Sequence, residues 1–160
     1  MKEIAQHLRK TVEGVLPSLR VISDEKAVFK PNPSKWSKKE ILGHLIDSAC
    51  NNQQKFVRIM AEPHVDFVGY AQNDWVEAQH YQKAEWRDLV IFWVTYNFHI
   101  AHIIENVNPH CLNNTIRING SEPFTLKFIM IDYVEHVKHH LKQVLPEAGL
   151  ESTFENVYNA

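Results

Sequence analysis

The sequence predicts an all-α fold, and two observations carry that expectation. Glycine and proline are scarce, at five and seven in 160 residues, so few positions interrupt regular backbone. Over most of the chain the apolar residues recur at intervals of three and four, the period of a helix face rather than of a strand. With 44% apolar and 22% charged residues the composition is that of an ordinary globular chain, and residues 1–160 are read as a single domain.

The first helix is expected from Lys2 to about Leu19. Ile4, Leu8, Val12, Val15 and Leu16 share one face, with a bend or break between Gly14 and Pro17. Asp24 to Lys35 reads as a connector, because Pro31 and Pro33 deny a helix. Ser37-Lys-Lys-Glu40 is a capping box, whose hydroxyl and carboxylate each take an amide that a helix start leaves without a partner. It opens a second long helix, Lys38 to about Met60, built on Ile41, Leu42, Leu45, Ile46, Ala49, Phe56 and Val57. A polar streak of His44, Asp47, Ser48 and Asn51 is set into that apolar surface.

Glu62 to Gln82 is irregular and rich in aromatics, with one short helix expected over Asp74 to His80. A loop of this length is more often functional than idle. Phe67, Tyr70 and Trp75 could roof a site as a substrate wall, or merely fill the gap between helices. The next helix, about Glu85 to Val107, carries Leu89, Phe92, Trp93, Tyr96, Ile100, Ile103, Ile104 and Val107, and reads as core. Partial alternation from Cys111 to Phe124, with a turn at Asn119-Gly120, suggests a short hairpin or an extended lid. Thr125 caps the last helix, which runs to about Leu145 and stops at Pro146. The tail is expected to pack back through Phe154, Val157 and Tyr158.

Charge and composition exclude several classes. Seventeen basic and nineteen acidic side chains give a net charge of −2 with no block of one sign, which argues against nucleic acid as a partner. Two cysteines without C-x-x-C spacing suit a reducing compartment, and the charged, broken start of the chain lacks the apolar core of a leader. No apolar run approaches the ~20 residues of a spanning helix. The expectation is a cytoplasmic protein with no membrane partner. Cys50 and Cys111 have no catalytic motif around them, and no Ser-His-Asp or Cys-His arrangement is evident.

The last helix holds the clearest chemical signal, Asp132-Tyr-Val-Glu-His136-Val-Lys-His-His140-Leu-Lys-Gln143. His136 and His140 are four residues apart, one turn, so both imidazoles can reach one cation. His139 lies about 60° off that face. Glu135, Lys138 and Lys142 form a charged stripe expected to face solvent, and Val134, Val137, Leu141 and Leu145 an apolar one. Among ten histidines a spacing of four also arises by accident, and packed or surface histidines remain the competing reading. The same holds for His44, alone on its helix.

Taken with the earlier Trp36-Ser-Lys-Lys-Glu-Ile-Leu-Gly-His44-Leu-Ile-Asp47, this final motif resembles the DinB/YfiT-like superfamily of metalloenzymes over nearly the whole chain. The resemblance implies a four-helix bundle with up-down-down-up topology, often a homodimer, and a divalent metal held by His44, His136 and His140. His139 matches an extra histidine beside the final ligand and stays outside the ligand set. Three neutral imidazoles would leave a tetrahedral cation one open position, the arrangement of catalytic rather than structural sites. Nitrogen donors suit zinc, nickel, copper or iron, with zinc or nickel preferred here. Asp47, Asp132 and Asn97 are the candidates to orient the ligand imidazoles.

The function the resemblance implies first is thiol-dependent S-transfer to a small electrophilic substrate, with a low-molecular-weight thiol such as bacillithiol or mycothiol as cosubstrate. Metal-dependent hydrolysis is the alternative. A third expectation, from a different class, is a non-catalytic, metal-stabilised module that binds a ligand under stress. A metal position open to a deep pocket would favour an enzyme, and a closed one the module.

Overall fold

The computed structural model describes residues 1–157. Four long helices, α1 (Lys2–Arg20), α3 (Lys38–Ala61), α5 (Trp86–Glu105) and α6 (Leu126–Val144), form a four-helix bundle, joined by the short helices α2 (Asp24–Val28) and α4 (Gln72–Ala78). Its core draws Leu8 and Val12 from α1, Leu42, Leu45 and Phe56 from α3, Trp93, Ile100 and Ile104 from α5, and Tyr133, Val137 and Leu141 from α6. These are the positions whose three- and four-residue spacing marks one helix face. α1 packs on α5 and α6, and α3 packs on the same two helices.

Local chemistry fixes the ends of α3. The Ser37 hydroxyl accepts from the Glu40 amide at 3.2 Å and the Glu40 carboxylate takes the Ser37 amide at 2.8 Å, completing the capping box. The same carboxylate receives Lys30 at 2.8 Å and the Gln82 amide at 2.9 Å, so one cap also holds two loops. At the same end of the bundle, Lys38 donates to the carbonyl of Val144. The start of α3 therefore meets the end of α6, and the two helices run in opposite directions.

Three expectations are corrected. α1 does not break near Pro17 but continues to Arg20. Glu13, Gly14 and Pro17 all face solvent, where water can take the carbonyl that proline leaves without a donor. The connector after Ser23 begins with one helical turn, α2, because the Ser23 side chain caps it and it ends before Pro31. The fold is not purely helical either. β1 (His64–Phe67) pairs in parallel with β2 (Thr115–Ile118), and β2 pairs antiparallel with β3 (Phe124–Thr125).

The hairpin of β2 and β3 turns at Asn119 and Gly120, both in the left-handed region that these two residues tolerate. β1 lies in the long loop after α3 and takes its partner from a segment some fifty residues away, so no local pattern announces it. In the same loop the short helix α4 starts two residues earlier than expected, and a 3-10 turn follows at Tyr81–Lys83. Val157 is partly exposed, and Tyr158 lies outside the described residues. Among the described residues, no helix is long and apolar enough to cross a membrane.

Gly43 sits under the ring of buried Tyr81, where an added Cβ would overlap the ring atoms. Helix propensity alone would reward Gly43→Ala by about 1 kcal/mol. The ring cannot retreat easily, because its hydroxyl is held by Asp47 at 2.7 Å. Overpacking should win, with a net loss of about 1–3 kcal/mol in urea unfolding; a more stable variant would show that the loop yields.

Candidate metal centre

α3 contributes His44 and α6 contributes His136 and His140. One ring nitrogen of each lies within 4.8 Å of the others. His44 is 2% exposed and the two α6 histidines are half-buried, so the cluster sits in the seam between the helices. His44 Nε2 and His136 Nε2 are 3.3 Å apart. Two nitrogens bound to one tetrahedral cation at 2.0–2.1 Å would stand about 3.4 Å apart, so the observed spacing suits shared coordination. The three ring pairs have centroids 4.5 to 5.3 Å apart and planes inclined by 67° to 71°, so the rings meet edge to face instead of stacking.

The surrounding residues set the rings. Ser48, one turn after His44, places its Oγ 3.3 Å from His136 Nδ1, which leaves Nε2 of that ring for the cluster. Trp36 covers His44 at 5.1 Å between centroids. His139 packs on His140 at 5.1 Å and is not part of the converging set. Phe154 from the tail lies edge-on to His136 at 4.9 Å and close to His139.

Burial keeps these rings neutral. It pushes His44 down to about 4, and burial followed by the His44 and His139 charges pushes His140 down to about 3. His136 lies well below its ordinary value, from burial first and then from neighbouring histidines and Lys55. Neutral imidazole is the form that offers a lone pair to a cation. Nδ1 of His44 and of His140 are buried with no hydrogen-bond partner among the described residues. Three convergent neutral rings, with His44 Nε2 and His136 Nε2 at the spacing of two ligands on one ion, fit a bound divalent cation in their chemistry and their spacing.

Other candidate residues have separate duties. Asp47, 3% exposed, accepts from the Tyr81 hydroxyl and the Gln79 amide, each at 2.7 Å, and so ties the loop after α4 to α3. Its second oxygen is buried without a partner among the described residues, and burial raises its pKa. Asn97, fully buried, donates to the Trp93 carbonyl and accepts from the Tyr133 hydroxyl, joining α5 to α6. Asp132 lines the cavity beside the histidines, where its charge acts on Lys55. Tyr70 also lines that cavity, Trp75 packs on Tyr70 at 4.7 Å, and Phe67 stands behind the cavity under Lys55.

The cavity holds about 660 Å³, within the range of small-molecule sites, and the three histidines form part of its wall. Ser48, Asn52 and Lys55 continue the stripe of His44 along α3. That stripe was legible as spacings of three and four, but polar residues on a half-buried helix carry no signature of what they face. The tail was the other omission. Ser152 donates to the Glu135 carbonyl at 2.7 Å and the Thr153 amide donates to the Glu135 carboxylate at 2.9 Å. Glu135 and Lys138, expected in solvent, are therefore mostly covered.

A four-helix bundle with three imidazoles converging from two helices defines the class as a candidate metalloprotein. A family model described as the DinB superfamily matches residues 7–144, and the chain belongs to that superfamily. No curated protein matches the sequence. Among solved structures, the fold matches YfiT from Bacillus subtilis, described as a probable metal-dependent hydrolase with an unusual four-helix bundle topology. The TM-score is 0.80 at 16% sequence identity, over 93% of this chain and 87% of that one.

Two outcomes are expected. In metal-free protein, each buried histidine has a folded pKa below its unfolded value of 6.5. The unfolded chain then binds more protons, so stability should fall as pH drops from about 6.5 toward about 4. Melting temperatures across that range should decline less steeply in His136→Asn/His140→Asn; equal slopes would show that the rings do not carry the effect. Ser48→Ala should weaken metal binding by about 10- to 100-fold, read by competition with a chromophoric chelator, with the helical signal unchanged.

Proposed function

We propose that this protein is a divalent-metal-binding enzyme acting on a small molecule, with His44, His136 and His140 as the ligands. The observation that carries this reading is the convergence of three neutral imidazoles on the wall of a cavity of about 660 Å³. A cation so held supplies Lewis acidity, which generates a nucleophile from water or a thiol near neutral pH. The chain's own part is to hold the three nitrogens by burial, to fix the His136 ring through Ser48, and to limit water with Trp36 and Phe154. An open cavity against the cluster favours catalysis over a non-catalytic, metal-stabilised binding module.

We assign the reaction as S-transfer from a low-molecular-weight thiol to an electrophilic substrate, on the strength of the family resemblance. Zinc or nickel is the proposed metal. Hydrolysis is the second reading, favoured by the description of YfiT. Arg9 meets Glu105 and Trp86 meets Leu19, so α1 and α5 are antiparallel. Lys39 meets Ala84 and Gln53 meets Tyr96, so α3 and α5 are parallel. With α6 antiparallel to α3, this supports an up-down-down-up order. Exposed Ile91 and Phe92 on α5 give a homodimer an apolar contact, and light scattering of the purified protein checks it.

Elemental analysis should find about one transition-metal ion per chain in protein purified without added metal, and none in His136→Ala/His140→Ala. His44→Ala should likewise lose tight binding while keeping its helicity; binding equal to the parent would rule out the three-histidine site. The loaded protein is then given bacillithiol or cysteine with monobromobimane, and separately a panel of esters and amides. Metal-dependent thiol consumption supports transfer, and ester or amide cleavage with no thiol dependence supports hydrolysis.

A further inference from the structure

The wall of the metal cavity carries a charge that the histidine cluster does not explain. Along α3 the stripe His44, Ser48, Asn52 and Lys55 faces the cavity, and along α6 it is met by Asp132, His136, His139 and His140. Because the two helices run in opposite directions, the groove has an imidazole end and an end marked by Lys55 and Asp132. At that second end the Lys55 ammonium is fixed 5.4 Å above the Phe67 ring, a cation–π contact that aims a flexible side chain.

We propose that Lys55 is a substrate-binding residue and that the substrate carries a carboxylate, seated at Lys55 while its reacting group lies at the histidine cluster. This assignment rests on the metal-binding reading above. Charge complementarity supports it. Neutral imidazoles leave a bound dication its full charge, and with Lys55 this outweighs Asp132 and the exposed Asp74, the carboxylates that line the cavity among the described residues. An anion lying between the two cations stabilises both in a partly desolvated groove. Burial also pulls the Lys55 amine down to about 8 despite the opposing influence of Asp132, so its charged form gains from a further anionic neighbour. Among the described residues the wall has one lysine and no arginine, which suits a monoanionic carboxylate better than a phosphate, a group often gripped by a guanidinium fork.

The test uses hydroxamates, which seek an open metal position whichever reaction the enzyme performs. Zinc-loaded protein is titrated by calorimetry with acetohydroxamate and with alkyl hydroxamates of increasing tail length, each ending in a carboxylate or its methyl ester. At the best-fitting length the acid should bind about ten-fold or more tightly than the ester, the gain of one charge-assisted hydrogen bond. Lys55→Met should remove that preference and Lys55→Arg should keep it, with zinc content and acetohydroxamate affinity the same in all three proteins. No preference in the parent at any length, or a preference that survives Lys55→Met, overturns the assignment and leaves the metal site standing. Parent protein that holds no zinc, or fails to bind acetohydroxamate, overturns the metal reading and this assignment with it.

Discussion

The structure depends on how α3 and α6 bury three imidazoles between them. Polar rings taken out of water lose hydration, and a nitrogen left without a partner costs on the order of 1–3 kcal/mol. Here two buried nitrogens, His44 Nδ1 and His140 Nδ1, have none. On the core side the seam is apolar, with Leu45, Val137 and Leu141 fully buried. A helix pair selected for stability alone would place leucine or isoleucine at these positions. The fold instead spends core stability to keep three lone pairs neutral and aimed at one point, which is the trade expected of a functional site.

What holds that seam open on one side is a set of polar braces away from the histidines. Asp47 faces the loop after α4 and pins it through Tyr81 and Gln79, while Gly43, one residue before His44, lets the Tyr81 ring lie against the helix backbone. Glu40 gathers Ser37, Lys30 and Gln82 at the helix start. On α6, Glu135 anchors the tail that brings Phe154 onto His136. The loop and tail thus shape the cavity mouth, and each is fastened to a helix that supplies the clustered histidines.

The sequence made the helices legible because each of the four long ones has a full apolar stripe, and α3 and α6 also carry an explicit hydroxyl cap. It made the histidine pair on α6 legible as a one-turn spacing, and His44 only through resemblance, since nothing local distinguishes a ligand from a buried core histidine. The sheet was half visible. β2 and β3 announce themselves by a left-handed Asn-Gly turn, but β1 owes its existence to a parallel partner far along the chain. Glu135 shows the same limit. Its spacing with Lys138 and Lys142 is that of a solvent-facing stripe, and only the return of the tail turns it into an anchor.

Asp47, Asn97 and Asp132 illustrate why helical proximity does not predict a role. All three sit within reach of the histidines in sequence or across a helix interface. Asp47 lies three residues from His44, and its oxygens turn about 60° away to meet the loop. Asn97 is spent on the α5–α6 contact through Tyr133. Asp132, one turn before His136, stays on the cavity face and opposes Lys55. The carboxylate left in the groove therefore acts through its charge on the Lys55 ammonium, and His136 takes its orientation from a neutral hydroxyl. A hydroxyl leaves the imidazole less electron-rich than a carboxylate would, so a cation held by these rings would keep more of its acidity. That favours activation of a weakly acidic nucleophile over tight, inert storage of the metal.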